Sequence, residues 1–184
     1  MWGLKNMSKM PIIQNPKDID ATVDPIGGEE TLARLLCSPL YFNERSNKTN
    51  PDAFDLRILP SGNLEEYVSL ARIQNFVSDE EFNEYLATKG YKIWDDKQNE
   101  NNKYYGYGLF NCKEAREVHE MIEINPLTGK NKSHVGLFYK HTSGGYYCGP
   151  LPKTDLTILE VLSDMADLLD VRKAPDRLMK KIEL

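Results

Sequence analysis

The sequence predicts an α+β fold: a mostly antiparallel sheet with short helices and a C-terminal helix packed on it. Three observations carry this expectation. Alternating apolar segments recur at short intervals, at 67–73, 104–110, 121–124 and 134–139. Turn clusters such as Pro60-Ser61-Gly62-Asn63 and Thr142-Ser143-Gly144 separate some of them. The last helical stripe, Leu156, Leu159, Leu162, Ala166 and Leu169, predicts one packing helix over 154–170.

Residues 1–28 hold Pro11, Pro16, Pro25, Gly27 and Gly28 without a sustained period, and read as an irregular N-terminal arm. A single domain is expected over 29–170. It opens with a helix in which Glu29 and Glu30 precede a stripe of Leu32, Leu35 and Leu36, ended by Pro39. Residues 53–59 alternate, with Phe54, Leu56 and Ile58 on one face, and predict a strand. The turn at 60–63 then leads into a neighbouring strand over 67–73. Ser78 and Glu81 form a capping box for a short helix carrying Phe82, Tyr85 and Leu86, closed by Gly90.

Tyr91–Trp94 reads as a strand and 95–103 as a polar loop. A strand over 104–110, helical turns over 113–119, a strand at 121–124 and a strand pair at 134–139 and 145–148 follow. A basic tail, 171–184, interrupted by Pro175, contains Arg172, Lys173, Arg177, Lys180 and Lys181. The expected core is Leu35, Phe54, Leu56, Val68, Leu70, Phe82, Ile93, Leu109, Val135, Leu137, Leu159 and Leu162. Phe42, Phe76, Trp94 and Phe138 fall outside it, which predicts a second sheet face covered by the 78–88 helix or by a homodimer.

The chain has 184 residues, with 23 Lys+Arg against 28 Asp+Glu and a formal net charge of −5, which argues against a generally basic nucleic-acid binder. No apolar run approaches the ~20 residues of a membrane span. The opening residues lack the apolar segment of a signal peptide. Cys37, Cys112 and Cys148 show no CxxC spacing and read as reduced cysteines of a cytoplasmic protein. His119, His134 and His141 lack metal-ligand spacing, so neither a metal nor another cofactor is expected.

Two sets of residues carry chemistry. Tyr104, Tyr105, Tyr107, Tyr139, Tyr146 and Tyr147 are interleaved with Gly106, Gly108, Gly144, Gly145 and Gly149. Aromatic faces beside glycines suit a stacking surface, with cross-strand packing of the same rings as the plainer alternative. Ser69 lacks flanking glycines, so it does not form the Gly-x-Ser-x-Gly elbow of a hydrolase. Arg57 and Arg72 suit bidentate anion binding if they converge in a cleft.

Asn50-Pro51-Asp52-Ala53-Phe54-Asp55-Leu56-Arg57, then Tyr67-Val68-Ser69-Leu70, then Ser133-His134-Val135-Gly136, resembles small uncharacterised bacterial proteins. Those carry an AFxLR-like strand, a YxSV-like strand and a late histidine strand. Here Leu70 stands where valine is usual, and Val135 where a small residue follows the histidine. The resemblance implies no activity, but groups Arg57, Ser69 and His134 as one set.

The favoured expectation is a non-catalytic binding or accessory module. It would recognise a protein or small ligand through its Tyr/Gly-rich strands, with Tyr105, Tyr107, Tyr146, Tyr147 and Arg72 as ligand-binding residues. The alternative is an enzyme acting on a phosphate- or ribose-bearing substrate. In it, Arg57 or Arg72 would hold the anion, Ser69 would position the substrate and His134 would act as general acid or base.

Overall fold

The structure, a computed structural model, describes residues 11–38, 40–43, 45–75, 78, 81, 103–128 and 133–170; at 37–38, 103–105 and 167–170 only the backbone is described. The strands are β1 (Ile12–Ile13), β2 (Thr31–Ser38), β3 (Phe42–Asn43), β4 (Lys48–Thr49), β5 (Val68–Arg72), β6 (Lys103–Asn111), β7 (Ile122–Pro126), β8 (His134–Tyr139), β9 (Tyr146–Tyr147) and β10 (Asp167–Asp170). The strands are joined by α-helices α1 (Cys112–Val118) and α2 (Leu156–Met165) and by short 3₁₀ turns. Six strands form one sheet in the order β10-β6-β2-β5-β8-β7, and every pairing is antiparallel. The expected α+β architecture is therefore present. No helix among the described residues is long and apolar enough to cross a membrane.

Alternation assigns the two faces of this sheet. One face carries Leu32 and Leu36, Val68 and Leu70, Phe110, Ile122 and Ile124, and Val135, Leu137 and Tyr139, all buried. Ile158, Leu159 and Leu162 of α2 belong to the same core, as do Ala53, Phe54 and Leu56. The Phe54 and Phe110 rings meet edge to face at 5.6 Å, and Tyr139 Oη donates to the Phe54 carbonyl at 2.6 Å. Asn111 caps α1, its side chain accepting from the amides of Lys113 at 2.9 Å and Glu114 at 3.3 Å.

Three expected elements are replaced. Residues 31–38 are a strand, because Leu32 and Leu36 satisfy both a helical and an alternating pattern, and β2 is central between β5 and β6. A central strand has apolar residues on both faces, which accounts for Leu35.

The expected strand at 53–59 is a 3₁₀ turn, Pro51–Ala53, followed by irregular chain. Pro51 opens that turn, and the Asp55 carboxylate takes the amides of Leu56 and Leu151, each at 2.9 Å, in place of ladder bonds. Phe54 and Leu56 are buried as expected, whereas Ile58 is 63% exposed and makes only an isolated bridge to Leu64. Finally, the C-terminal helix stops at Met165, and 167–170 form the strand that pairs with the otherwise open edge of β6.

The core expected from sequence matches at Phe54, Leu56, Val68, Leu70, Val135, Leu137, Leu159 and Leu162. Leu35 and Leu109 are only half-buried, on the opposite sheet face, while Phe82 and Ile93 lie outside the described residues. The Tyr91–Trp94 strand, the 95–102 part of the loop and the 171–184 tail also lie outside them. Of the capping box, Glu81 N donates to Ser78 Oγ at 3.2 Å. The described part of the arm, 11–28, has little regular structure but is tied down: β1 pairs with β9, Ile19 bridges to Leu127, and Ile26 enters the core.

Two of the four residues behind the second-face expectation are described. Phe42 is buried in the main core, and Phe138 is fully buried between Tyr67 and Tyr146 of its own chain, so neither needs a second copy to cover it. Phe76 and Trp94 lie outside the described residues.

Arg72 anchors the arm to the sheet. Its Nε and Nη2 each donate to the Glu30 carboxylate at 2.7 Å, and Nη1 donates to the Asp24 carbonyl at 3.1 Å. Burial raises the Glu30 pKa, but the bonds from Arg72 and from Gly27 N outweigh it and hold the carboxyl below its ordinary value. Removing one partner of a buried pair strands the other, so Glu30→Ala is expected to cost about 3 kcal/mol or more in denaturant-unfolding stability. Because the folded pKa is depressed, this stabilisation is present above the ordinary carboxylate range and lost as pH falls through the folded value. The stability gap between wild type and Glu30→Gln should therefore narrow on acidification.

Candidate functional site

β5 and β8 run antiparallel with Ser69 opposite Gly136 and Ala71 opposite His134. Ser69 and His134 are thus diagonal neighbours on the sheet face opposite the main core. Their side chains meet there, with Ser69 Oγ 2.8 Å from His134 Nε2. Ser69 is exposed and His134 half-buried, so the pair is open to a ligand.

The pair sits in a cleft of about 770 Å³ that is also lined by Asp18, Leu64, Glu65, Glu66, Tyr67 and Cys148, with the 59–63 turn at its rim. Leu59 N donates to the Asn63 carbonyl at 2.7 Å and Gly62 adopts φ +83°, which closes that turn. Tyr67, two residues before Ser69, shares its face. Its ring meets the His134 ring edge-on at 6.2 Å, and its hydroxyl donates to Asp18 Oδ2 at 3.2 Å. Burial, reinforced by the Asp18 charge, pushes the Tyr67 pKa up to about 12, so at neutral pH this phenol is a fixed donor.

The charge of the cleft is negative. Asp18, Glu65 and Glu66 line it, and no lysine or arginine does so among the described residues. Arg57, grouped with the pair by sequence, reaches the cleft only through Glu65. Its Nε donates to Glu65 Oε2 at 2.9 Å, its Nη2 pairs with Oε1, and its guanidinium lies 5.5 Å from the Tyr41 ring centre. Arg72 projects from the opposite face of β5 into the Glu30 pair. Neither arginine converges on Ser69 and His134, so the expected anion clamp is not assembled.

The tyrosines whose side chains are described do not form the expected open surface. Tyr107, Tyr139 and Tyr147 are buried, and half-buried Tyr146 donates to Glu123 Oε1 at 2.9 Å. Tyr104 and Tyr105 lie on β6, where only their backbone is described. The plainer alternative, rings packed across strands, accounts for the described ones.

The other two histidines make local contacts. His141 Nδ1 and Ser143 Oγ lie 2.6 Å apart, but that contact closes the local 141–145 turn. His119 Nδ1 accepts from Met121 N at 3.2 Å. Burial raises the pKa of the Cys148 thiol, which keeps it neutral beside the cleft. No group of three His, Cys, Asp or Glu side chains among the described residues is arranged to hold a metal ion. Sequence reading missed Asp18 and Glu66, whose types and spacing carry no signal. Tyr67 could have been found from its alternation with Ser69.

Comparison of the chain with protein-family models, curated proteins and solved structures returns no match.

Tyr67 and Tyr146, the latter raised to about 12 by burial and its bond to Glu123, are neutral in the fold up to a higher pH than in the unfolded chain, where the ordinary value is 10.0. Their contribution is intact below the unfolded pKa and is lost as pH rises from there through the folded one. Stability should therefore decline over that alkaline window. Tyr67→Phe and Tyr146→Phe should each flatten the decline when unfolding is followed by circular dichroism.

Proposed function

We propose that the protein binds a small polar ligand in the cleft around Ser69 and His134, and that this pair exchanges a proton with it. The observation that carries the reading is the 2.8 Å contact between Ser69 Oγ and His134 Nε2 at a solvent-open site. A hydroxyl and an imidazole in contact offer donors and acceptors that reverse role with the tautomer, which suits a ligand bearing hydroxyl or amine groups. Arg57 offsets the lining Glu65, but Asp18 and Glu66 disfavour an anionic ligand, and Arg72 is paired with Glu30 on the opposite face. The reading keeps the small-ligand class of the favoured sequence-based expectation, moves it from the tyrosines to the cleft, and, of the alternative's phosphate- or ribose-bearing substrate, sets aside the phosphate.

Catalysis is the second reading, favoured by the exposure of Ser69 Oγ beside a base. His134 would accept the serine proton as Ser69 Oγ bonds to an electrophilic centre, and would return it to the group that leaves as its bond to that centre breaks. Such help is worth about 10²–10⁴-fold, so the cleft must supply positioning as well.

Thermal-shift screening with polyols, primary amines and carboxylates tests the first reading. A polyol or amine is expected to stabilise wild type, by about 2.7 kcal/mol at a hundredfold excess over Kd, while Ser69→Ala and His134→Ala lose the effect. Stabilisation by carboxylates alone, or equal stabilisation of both variants, would contradict it. Fluorophosphonate labelling tests the second: modification of Ser69 that disappears in His134→Ala supports a nucleophilic serine, and an unmodified wild type removes that reading.

A further inference from the structure

We infer, on the reading that the Ser69–His134 pair is the working centre, that Gly136 is a positioning residue for it, acting through an aromatic row that ends on the His134 ring. Gly136 lies directly opposite Ser69 in the β5–β8 register. A Cβ at this position would stand 2.7 Å from Phe138 Cε2, 3.0 Å from Phe138 Cζ and 3.0 Å from Leu127 Cδ2. The Phe138 ring therefore occupies the space that any larger residue at 136 would need.

Phe138 has little room to give way. It is fully buried, with the Tyr67 ring centre 5.3 Å away and that of Tyr146 5.6 Å away. Both flanking phenols are anchored, Tyr146 to Glu123 at 2.9 Å and Tyr67 to Asp18 at 3.2 Å. Tyr67 in turn lies edge-on to His134 at 6.2 Å. A methyl group at 136 thus drives Phe138 against Tyr67 and Tyr67 against His134. Packed interiors pass on such displacements because they hold little free volume. The imidazole stands at the end of this row, and displacing its ring takes Nε2 away from Ser69.

The test reads the imidazole itself and needs no ligand. In ¹⁵N-histidine-labelled protein, long-range ¹H–¹⁵N correlation reports the protonation and hydrogen bonding of the His134 ring, with His134→Asn supplying the assignment. Ser69→Ala defines the signal of the broken pair. Gly136→Ala is expected to move the His134 signals towards that position. Gly136→Ala/Phe138→Leu, which removes the two clashing ring atoms and leaves the contact with Leu127 Cδ2, is expected to move them back towards the wild-type position. The double variant decides the matter if Gly136→Ala does not fold.

Wild-type His134 signals in folded Gly136→Ala would overturn the inference, as would Ser69→Ala-like signals in the folded double variant. Failure of the ligand screen would instead count against the proposed function and leave the imidazole result standing.

Discussion

The register of β5 against β8 is the constraint on which the candidate site depends. Ser69 faces Gly136 and His134 faces Ala71, so the serine and histidine stand diagonally across one face. Strand side chains alternate, and a slip of one residue would turn the serine or the histidine into the core. The register is held by what the other face buries. Val68 and Leu70 on β5 and Val135 and Leu137 on β8 are all nearly or fully inaccessible, and shifting either strand would expose its pair. The apolar core thus fixes the geometry of a polar pair that it does not touch.

Arginine placement explains why this cleft is acidic in a chain whose negative balance is modest. Arg34, on the core face of β2, donates to the Ala53 carbonyl at 2.6 Å and to the Ser69 carbonyl at 3.1 Å. It joins the 51–56 segment to the strand that bears the serine. Arg116 donates to the carbonyls of Ile26 and Ile124, tying the arm to the sheet edge. With Arg72 on Glu30 and Arg57 on Glu65, these four arginines hold the fold together instead of facing the cleft. Buried guanidinium groups need such partners, since an uncompensated charge away from water is costly.

Much of this was legible in the sequence where alternation is clean. The strands around Val68–Arg72, Lys103–Asn111 and His134–Tyr139 follow from period two, and the grouping of Ser69 with His134 survives in the fold. Illegible parts have physical causes. Leu32 and Leu36 fit helix and strand alike, and only the pairing of β2 with both neighbours decides between them. Asp55 diverts backbone amides from a ladder by local bonding, which hydrophobic periodicity does not register. Asp18 reaches the cleft from an arm without any period, about fifty positions before Tyr67. The arginines looked available because their partners, Glu30 and Glu65, are set by tertiary placement.

The central claim is that Ser69 and His134 form one coupled unit. A double-mutant cycle on folding stability, with Ser69→Ala, His134→Ala and the double variant unfolded in denaturant, measures that coupling without reference to any ligand. The structure predicts a favourable coupling of about 0.5–1.5 kcal/mol, the range of a net intramolecular hydrogen bond. Strictly additive single and double variants would show that the two side chains do not interact, and would contradict the account.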